Sequence, residues 1–479
     1  MVAFILPANS ASSGGYEISN SCQFNTDAYC EFTPSSGSGS TQFTYSAWVK
    51  NCGAGALSET GMILSGAGAG SGADNGIQLS AGGSNGKIQF IEYDGGDNAY
   101  YIRTNRLFRD PSAWFHLVLI YDAPDGTAGD RMRLYINGTR ETSFSNEVQL
   151  PQDRAHAGFT RNNVAIRVGA QASGSNQRFD GYLADVYFCD GQNYEPTEFG
   201  ETNDNGVWIP KKADVSFGTN GFKLEFKQTG TSANSSGIGA DTSGNDNHFS
   251  VSGLAATNIT TDTPTNNFAT MNPLVYNYAN ITYSEGNLHL LTGNSENSFT
   301  TNTIAPAKGK WYAEIKVTDV GSDALLGITR LPVPVSPNHY PGQQAYDVAY
   351  YSAGNKATGG SFTSYGNSYT TNDIVGIAMD LDNDKVYFSK NGTWQNSGDP
   401  TTGSTGTGAI DIPSLTGEPF VFISAGEWNG SDTSTFEMNF GNPTFSISSG
   451  NTDGKYGNFE YAPPSGYYAL CTKNLAEYG

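Results

Sequence analysis

An acidic run, EYDGGD, brings three carboxyl groups close together along the chain, at Glu92, Asp94 and Asp97. Alternate residues of a strand face the same side, so Glu92 and Asp94 would share one face. Two carboxylates about 5–5.5 Å apart can hydrolyse a glycosidic bond with retention of configuration. However, Gly95 and Gly96 interrupt the strand before the third acid, which favours a turn. The acidic run is therefore better explained as a turn, and a carbohydrate-active enzyme or its glycan-binding module is kept as an alternative function.

The same region contains oxygen donors of the kind that Ca²⁺ binds. The candidate ligands are Asp74, Asn75, Asp94 and Asp97. A second run, DLDND at 380–384, also has carboxylates at alternate positions, but Asp and Asn are common in the turns between strands. The sequence thus leaves Ca²⁺ open at the first set and indicates no other cofactor.

The remaining residues do not support nucleophilic or zinc chemistry. The five histidines are scattered, and the five cysteines lack the spacing of zinc ligands. Cys22 and Cys30 flank a predicted turn, where they would either form a disulfide or remain buried, reduced thiols. We therefore predict that the protein is not an enzyme.

Aromatic side chains beside predicted turns are the best indication of a binding surface. Tyr and Trp offer a large apolar face together with a polar group that can form hydrogen bonds. The alternative is that some of them are core residues of alternating strands. The predicted ligand-binding residues are Tyr100, Tyr101, Arg103, Tyr340, Tyr346, Tyr350, Tyr351, Trp394 and Trp428.

Two hairpins of similar sequence would position these side chains. The first joins WFHLVLIYD to RMRLYINGTRE within 114–141, and the second is DIVGIAMDLDNDKVYFSKNGTWQ at 373–395. Each contains Asn-Gly, at 137–138 and at 391–392, which tolerates the positive φ angles of a type I′ turn. Two such hairpins in one chain predict two β-sandwich modules in tandem.

The composition agrees with an all-β chain. The 479 residues include 59 glycines and 12% aromatics but only 15% charged residues, and no long apolar repeat has helical spacing. The net charge of −21 argues against the basic face that nucleic acids and anionic membranes require. The first residues, MVAFILPANSASS, lack the basic flank and the apolar length of a signal peptide. We expect no nucleic-acid partner, no membrane insertion, and synthesis in a cytoplasm.

Residues 1–200 resemble a known sandwich family. The order FTYSAWVK, GIQLS, KIQFIEYD, WFHLVLIYD, RLYINGT and FDGYLADVYFCDGQ is similar to that of the concanavalin A-like, laminin-G-type jelly roll. The resemblance implies an antiparallel β-sandwich and says little about function. It also implies that a Ca²⁺ ion at the rim of the sandwich is a reasonable expectation.

Residues 276–479 resemble a SPRY-type domain, which is a bent antiparallel sandwich. The similarity rests on WYAE at 311–314, on the second Asn-Gly hairpin and on MNFG at 438–441. The family mostly binds proteins or peptides through loops, and the resemblance implies such binding here. Between the two modules, residues 201–275 are rich in Gly, Ser, Thr and Asn, and they form either edge strands of the first sandwich or a separate small domain. The predicted fold is two tandem antiparallel β-sandwiches joined by this β segment.

Two lectin-like sandwiches without an export signal suit a protein that is made in a host cytoplasm and assembled onto a virus particle. The chain resembles lectin-domain proteins of bacteriophage tails and virions. This resemblance implies a non-enzymatic structural virion protein, a tail fibre or surface appendage. Its expected partners are host cell-surface glycan and neighbouring virion proteins, and a homo-oligomer such as a trimer is expected. A protein–protein adaptor acting through residues 276–479 is a further alternative.

Overall fold

The computed structural model consists almost entirely of β-strands, and its contacts divide the chain into two compact units. The first unit ends at Thr265 and the second runs from Asn266 to Gly479. No helix in the described part of the chain is long and apolar enough to cross a membrane. The described residues are 15–25, 28–53, 61–68, 75–79, 86–93, 99–173, 177–275, 281–294, 297–429 and 432–479.

The first unit is a sandwich of two antiparallel sheets with eight strands each. One sheet has the order β10-β9-β8-β3-β13-β1-β18, with β16 paired to β13, and the other has the order β11-β7-β6-β5-β4-β12-β2-β17. The strands are β1 (Ser21–Phe24), β2 (Tyr29–Phe32), β3 (Gln42–Asn51), β4 (Gly61–Gly66), β5 (Asn75–Leu79), β6 (Ile88–Tyr93), β7 (Ala99–Thr104), β8 (Trp114–Asp122), β9 (Met132–Ile136), β10 (Thr139–Arg140), β11 (Phe144–Val148), β12 (Ile166–Val168), β13 (Gly181–Asp190), β14 (Gly200–Thr202), β15 (Trp208–Pro210), β16 (Phe222–Leu224), β17 (Ser250–Ser252) and β18 (Ile259–Thr260).

Strand β3 shows why this sequence forms two layers. Phe43, Tyr45 and Ala47 alternate along it, and all three are fully buried in the main core between the sheets. Trp48 faces the other way and packs in a smaller cluster with Trp114. Both faces of the strand are therefore covered, and each fully buried large apolar side chain stabilises the fold by about 1.5–3 kcal/mol.

Three strands from the Gly/Ser/Thr/Asn-rich segment extend the first sandwich. Strand β16 pairs with β13, β17 pairs with β2, and β18 pairs with β1. Strands β14 and β15 form a separate two-stranded hairpin. The last part of the segment belongs to the second unit, since Ala269 and Met271 lie in its core.

A buried ion pair joins the end of the first unit to its central strand. Lys50 Nζ, on β3, lies 2.8 Å from Asp262 Oδ2, and both side chains are almost completely buried. The indole nitrogen of Trp114 donates to the other oxygen of Asp262 at 3.0 Å. A buried charge is costly unless it is paired and hydrogen-bonded, so these contacts fix the closing segment at one position.

The second unit contains a nine-stranded sheet and a six-stranded sheet. The larger has the order β19-β20-β32-β22-β27-β28-β29, with β30 on β28 and β35 on β22, and the smaller has the order β21-β31-β23-β24-β25-β26. The strands are β19 (Thr282–Ser284), β20 (His289–Leu291), β21 (Ser298–Thr301), β22 (Lys310–Asp319), β23 (Ala324–Thr329), β24 (Asp347–Tyr351), β25 (Asn355–Thr358), β26 (Ser361–Ser364), β27 (Ile374–Asp380), β28 (Lys385–Lys390), β29 (Thr393–Trp394), β30 (Ile410–Asp411), β31 (Phe422–Glu427), β32 (Thr435–Asn439), β33 (Asn451–Thr452), β34 (Asn458–Phe459) and β35 (Tyr468–Ala469).

Helical structure is sparse in the described residues and lies at the margins of the sheets. The α-helix α1 (Thr472–Tyr478) follows the last strand of the second unit. Short 3₁₀ segments span Ala128–Asp130, Pro196–Glu198, Ala256–Asn258, Gln395–Ser397 and Pro400–Thr405. The predicted all-β class with two sandwiches is confirmed.

Both predicted Asn-Gly hairpins are also confirmed. Asn137 and Asn391 have φ angles of 48° and 47°, and the glycines that follow them have φ angles of 74° and 76°. Each Asn side chain accepts a hydrogen bond from a backbone N–H of the neighbouring strand, that of His116 at 2.8 Å and that of Ile374 at 2.9 Å. The two units thus use the same device to tie the hairpin to the strand beside it.

Candidate functional site

Four aromatic rings from distant parts of the second unit meet on the outer side of the six-stranded sheet. They are Tyr340, Tyr351, Phe362 and Trp428, and we call them the aromatic patch. The ring centres of Phe362 and Trp428 are 5.0 Å apart, and those of Tyr351 and Phe362 are 5.2 Å apart. Tyr340 completes the group, with its ring centre 6.1 Å from that of Trp428.

Strand alternation places these rings on one face. Tyr351 ends β24 and Phe362 lies in β26, while Trp428 directly follows β31. Beneath them lies a small cluster that includes Leu325, and its members point away from the main core. The patch is therefore positioned by rigid strands on three sides.

The fourth ring, that of Tyr340, lies in the connection between β23 and β24. His339 anchors this connection, because its ring stacks on Phe299 with centres 4.1 Å apart and its Nε2 donates to Asp347 at 3.0 Å. The backbone N–H of Val335 donates to His339 Nδ1 at 3.1 Å, which fixes that nitrogen as the acceptor. Tyr340 follows directly, so its position is set by a buried hydrogen-bonded histidine.

Glycine allows this connection to lie close to the sheet. Gly342 has a φ of 91°, and a Cβ atom there would lie 2.6 Å from the Cβ of Ala357. A larger residue would have to lift the backbone from the strand and move Tyr340 with it.

The aromatic patch is partly open to solvent. Trp428 is 38% exposed, which is unusual for the largest apolar side chain, whereas Tyr340 is 7% exposed. Tyr351 and Phe362 are half-buried. An open tryptophan supported by three packed rings has the form of a binding surface, since aromatic side chains dominate contact energies at interfaces.

Two carboxyl groups, Asp323 and Asp432, lie beside the patch, and a third, Glu427, lies close to them on the inner face of β31; we call the three the acidic corner. The Tyr351 hydroxyl donates a hydrogen bond to Asp323 Oδ1. The backbone N–H of Trp428 donates to the backbone oxygen of Asp323 at 3.1 Å. Asp432 accepts from Ser322 Oγ at 3.1 Å. Asp323 is thus hydrogen-bonded to two residues of the patch, to the side chain of Tyr351 and to the backbone of Trp428.

Glu427 is the buried member of the acidic corner. Its side chain is 1% exposed, and one carboxyl oxygen accepts from Thr292 Oγ1 at 2.9 Å. The pKa of Glu427 is raised to about 7, mainly by burial and in part by the charges of Asp432 and Asp323, and the hydrogen bonds from Thr292 and from the Ser322 backbone oppose the rise. This carboxyl group therefore changes charge near neutral pH, on the inner face of the sheet whose outer face carries the patch.

Among the six aromatic residues predicted as ligand contacts in the second unit, three form the aromatic patch. Tyr350 is a core residue instead: it is fully buried, and its hydroxyl donates to the backbone oxygen of Asn367, so it offers no surface to a ligand. Trp394 lies on the other sheet, with its ring 6.3 Å from that of Tyr312. Tyr346 is half-buried just before β24 and makes no ring contact with the patch within the described part of the chain.

The three predicted residues of the first unit do not form one surface. Tyr100 is partly buried against the core, with the Arg154 guanidinium 5.1 Å from its ring centre. Tyr101 and Arg103 alternate with the fully buried Ile102 and so face outward.

A row of amide groups runs across the outer face from Arg103. Arg103 Nε donates to Gln89 at 2.5 Å, Gln89 Nε2 donates to Gln78 at 3.2 Å, and Gln78 Nε2 donates to Gln177 at 3.4 Å. Gln89 and Gln78 are buried, so Tyr101 and Arg103 are the accessible groups at this end of the row.

Glu92 lies between the sheets and not in a cleft. Its side chain is fully buried, and Oε1 accepts from Arg154 Nε at 3.1 Å and from the backbone N–H of Ala157 at 3.0 Å. Burial raises the pKa of Glu92, while the Arg154 charge opposes the rise. In this geometry the carboxyl group is buried and bound to Arg154 and to the backbone of Ala157.

The candidate Ca²⁺ ligands are only partly described. Asp74, Asp94 and Asp97 lie outside the described residues. Asn75 is fully buried, and its Oδ1 accepts from the Tyr93 N–H at 2.6 Å. Within the described ranges, no group of three or more His, Cys, Asp or Glu side chains has the arrangement of a metal site.

The second acidic run is a turn. Asp380 binds Lys310 Nζ at 3.1 Å, Asp382 accepts from the Gly309 N–H at 3.0 Å, and Asp384 binds Arg330 at 3.0 Å. The five cysteines, all of them described, are buried and free, so the reduced thiols expected for Cys22 and Cys30 are present.

Sequence reasoning missed Phe362 and the acidic corner. Phe362 stands in the short polar segment SFTS, where nothing indicates a binding residue. Asp323, Glu427 and Asp432 lie in separate turns and strand ends, and only the pairing of β21, β23 and β31 brings them together. The useful signal was the aromatic residue directly after a strand, as at Trp428.

Comparison with protein-family models gives one match within each unit. Residues 24–192 match the concanavalin A-like lectin/glucanases superfamily, and residues 310–437 match the SPRY domain. Ran-binding protein 9 of Danio rerio is 30% identical over 94 residues, which are 19% of this chain and 16% of that relative. An SPRY domain-containing protein of Schizosaccharomyces pombe is 28% identical over 144 residues, which are 28% of this chain and 37% of that relative.

Comparison with solved structures gives a human SPRY domain at 16% identity. The match covers 35% of this chain and 97% of that structure, with a TM-score of 0.25. The chain spans well under half the length of the curated relatives described above, so their full activities do not transfer to it. By the family-model matches, the chain contains a concanavalin A-like domain at residues 24–192, followed by a SPRY domain at residues 310–437.

Proposed function

We propose that this protein is a non-enzymatic binding protein that recognises a segment of a partner protein through the aromatic patch. The observation that carries the proposal is the convergence of four rings from separate segments, among which Trp428 is 38% exposed. A rigid, partly open aromatic surface loses little side-chain entropy on binding, because its rings are already packed in place. SPRY domains mediate protein–protein interaction, which supports the same use here.

The test is selection of binding peptides by the full chain. A random dodecapeptide library displayed on yeast is sorted for binding to the labelled protein and against binding to the Trp428→Ala variant. We expect a set of peptides that require Trp428. Trp394→Ala is the matched control, because it removes a half-buried tryptophan from the other sheet of the same unit. Peptides that bind all three proteins equally would reject the patch as the site.

Glycan binding by the first unit is the second candidate. Tyr101 and Arg103 face outward at the end of a row of buried amide groups, and an aromatic ring with a guanidinium donor suits a hydroxyl-rich ligand. The measurement is a glycan array with the full chain and with Arg103→Ala. Signals that the substitution abolishes would support this candidate, and an array without signal would remove it.

The virion-surface role is one setting in which such a binding protein would act. The relatives named above are eukaryotic and lend no support to a viral origin, so this role stays a prediction from the sequence. Immunogold labelling of purified virus particles with an antibody to the chain would test it. Gold on tails or capsids is expected if the role is right, and unlabelled particles would reject it.

The absence of enzymatic activity is part of the proposal. Glu92, the strongest catalytic candidate of the sequence, is fully buried and bound to Arg154. We expect no release of reducing ends from polysaccharides by the wild-type protein. Release that disappears in Glu92→Gln, in a variant that still folds, would overturn this expectation.

A further inference from the structure

We propose that the partner segment presents a cationic side chain, lysine or arginine, which binds where the aromatic patch meets the acidic corner. This inference rests on the proposed function and names the chemical class of its partner. The occupant is one segment of a basic protein, held by ring faces on one side and by carboxylates on the other.

The rings of the patch have the geometry that cation binding needs. A cation is attracted to an aromatic face within about 6 Å of the ring centre, and tryptophan is the best acceptor. Phe362 and Trp428 are tilted by 32° with centres 5.0 Å apart, and Tyr351 lies edge-on to Trp428 at 6.3 Å. A long side chain on this surface would therefore contact more than one ring.

The carboxyl groups supply the matching charge. Asp323 is half-buried and is held by the hydroxyl of Tyr351. Its second oxygen is 3.5 Å from Asn429 Nδ2, a weak contact that a guanidinium or ammonium group could replace. Asp432 adds a second, exposed carboxylate at the same corner. The strongest local charge next to the rings is therefore negative.

Among the described residues, no lysine or arginine of the chain occupies this position. Lysine and arginine groups lie over other rings, as Lys310 does over Tyr467, but over none of the four patch rings in the described part of the chain. The whole chain carries a net charge of −21, so its long-range field also attracts basic partners.

An acidic partner would be repelled at this position. Its carboxylate would lie beside Asp323 and Asp432, and like charges at an interface suppress binding. A purely apolar partner would bury the exposed edge of Trp428 but leave the Asp323 carboxylate without a positive counterpart at the rim. The arrangement of charge thus selects against both classes.

Glu427 gives the inference an independent readout. The charged groups that face it are Asp323, from the turn before β23, and Asp432, from the segment after β31, and both are acidic. A bound cation would favour the ionised form of Glu427, since an opposite charge lowers the pKa of a carboxyl group. Binding should therefore release protons near neutral pH and strengthen as pH rises from 6 to 8.

The first experiment uses the peptide selection described above. Among the peptides that require Trp428, we expect Lys and Arg to be enriched at one or more fixed positions. Trp428-dependent peptides that are neutral or acidic would overturn the cation inference and leave the proposed function standing. A selection without Trp428-dependent peptides would instead overturn the proposed function.

The second experiment is calorimetric titration of the best selected peptide into the full chain. Asp323→Asn is expected to weaken binding about tenfold, and Asp432→Asn is a second variant in case the first perturbs Tyr351. Asp246→Asn is the control for net charge, because Asp246 is 89% exposed and lies in the first unit. Equal affinities for all three variants and the wild type, or affinity that does not rise with pH, would reject the acidic corner as part of the site.

Discussion

The hydroxyl of Tyr351 donates a hydrogen bond to Asp323, and this single contact joins the aromatic patch to the acidic corner. Tyr351 is the last residue of β24, and Asp323 directly precedes β23, the strand that pairs with β24. The hydrogen bond therefore connects two paired strands. Burial, with the neighbouring Asp323 charge and hydrogen bond, raises the pKa of Tyr351 to about 12, and the hydroxyl stays protonated at neutral pH. The carboxyl group of Asp323 is therefore held in place by a neutral donor.

Replacing Tyr351 with Phe should separate the two parts of the site. The ring remains, but the hydrogen bond to Asp323 is lost, which costs about 1–2 kcal/mol of stability because the acceptor is charged. We expect a selected peptide to bind several-fold more weakly, with the loss removed when Asp323 is also Asn. A double-mutant cycle by calorimetry measures this coupling. Additive losses would mean that the bond does not position the carboxylate for binding.

Glu427 should make the stability of the second unit depend on pH. Its pKa is raised to about 7 in the folded protein, above the ordinary value near 4.5. The folded state therefore holds its proton more tightly, and this contribution to stability is fully present below about pH 4.5 and is lost as pH rises through 7. The total loss is at most about 3 kcal/mol. The measurement is the free energy of unfolding in urea at pH 5, 6, 7 and 8.

Glu427→Gln provides the comparison for this effect. The amide cannot ionise, so the difference in stability between variant and wild type should grow in favour of the variant from pH 5 to pH 8. Glu437→Gln is a suitable control, since Glu437 lies in β32 of the same unit, where it pairs with Lys316 at 3.5 Å. Parallel stability curves for the wild type and Glu427→Gln would contradict the raised pKa.

The local structure could be predicted from the sequence where short motifs, such as Asn-Gly between alternating strands, specify the backbone conformation. Asn137 and Asn391 occur in Asn-Gly pairs between alternating strands, and their positive φ angles follow from that chemistry. Three residues of the aromatic patch could be predicted as ligand contacts, because Tyr351 and Trp428 lie at or just after the end of a strand and Tyr340 lies in a tyrosine-rich connection. Tyr350 could not be separated from Tyr351 by composition, and only the register of β24 shows that one faces the core and the other faces outward.

Contacts between distant segments could not be predicted. Lys50 and Asp262 are 212 residues apart and meet only because β18 pairs with β1 and brings the end of the first unit beside β3. The acidic corner depends in the same way on the order of β21, β31 and β23 in one sheet. A single sequence does not specify which strands become neighbours, so these charge pairs and clusters appear only in three dimensions.

Breaking the Lys50–Asp262 pair should destabilise the first unit strongly. Asp262→Ala leaves a buried ammonium group and removes the acceptor of the Trp114 N–H, so we expect a loss of about 3–5 kcal/mol. The double variant Lys50→Met with Asp262→Leu removes both charges and should lose less than either single change. Calorimetric melting of the full chain measures the first-unit transition. A double variant less stable than both single variants would contradict a charge-burial origin.

Two substitutions at Asn391 distinguish the energetic cost of backbone strain from that of lost side-chain hydrogen bonds. Asn391 Oδ1 accepts from the Ile374 N–H at 2.9 Å, and its Nδ2 donates to Asp373 at 2.7 Å. Asn391→Gly keeps the favourable φ but loses both bonds, and should cost about 1–2 kcal/mol. Asn391→Ala also introduces strain at a φ of 47° and should cost about 1 kcal/mol more. The same pair of substitutions at Asn137 should affect the first unit alone. If Gly and Ala at position 391 lower the free energy of unfolding equally, the positive φ does not affect stability there, and the lost side-chain hydrogen bonds account for the whole effect.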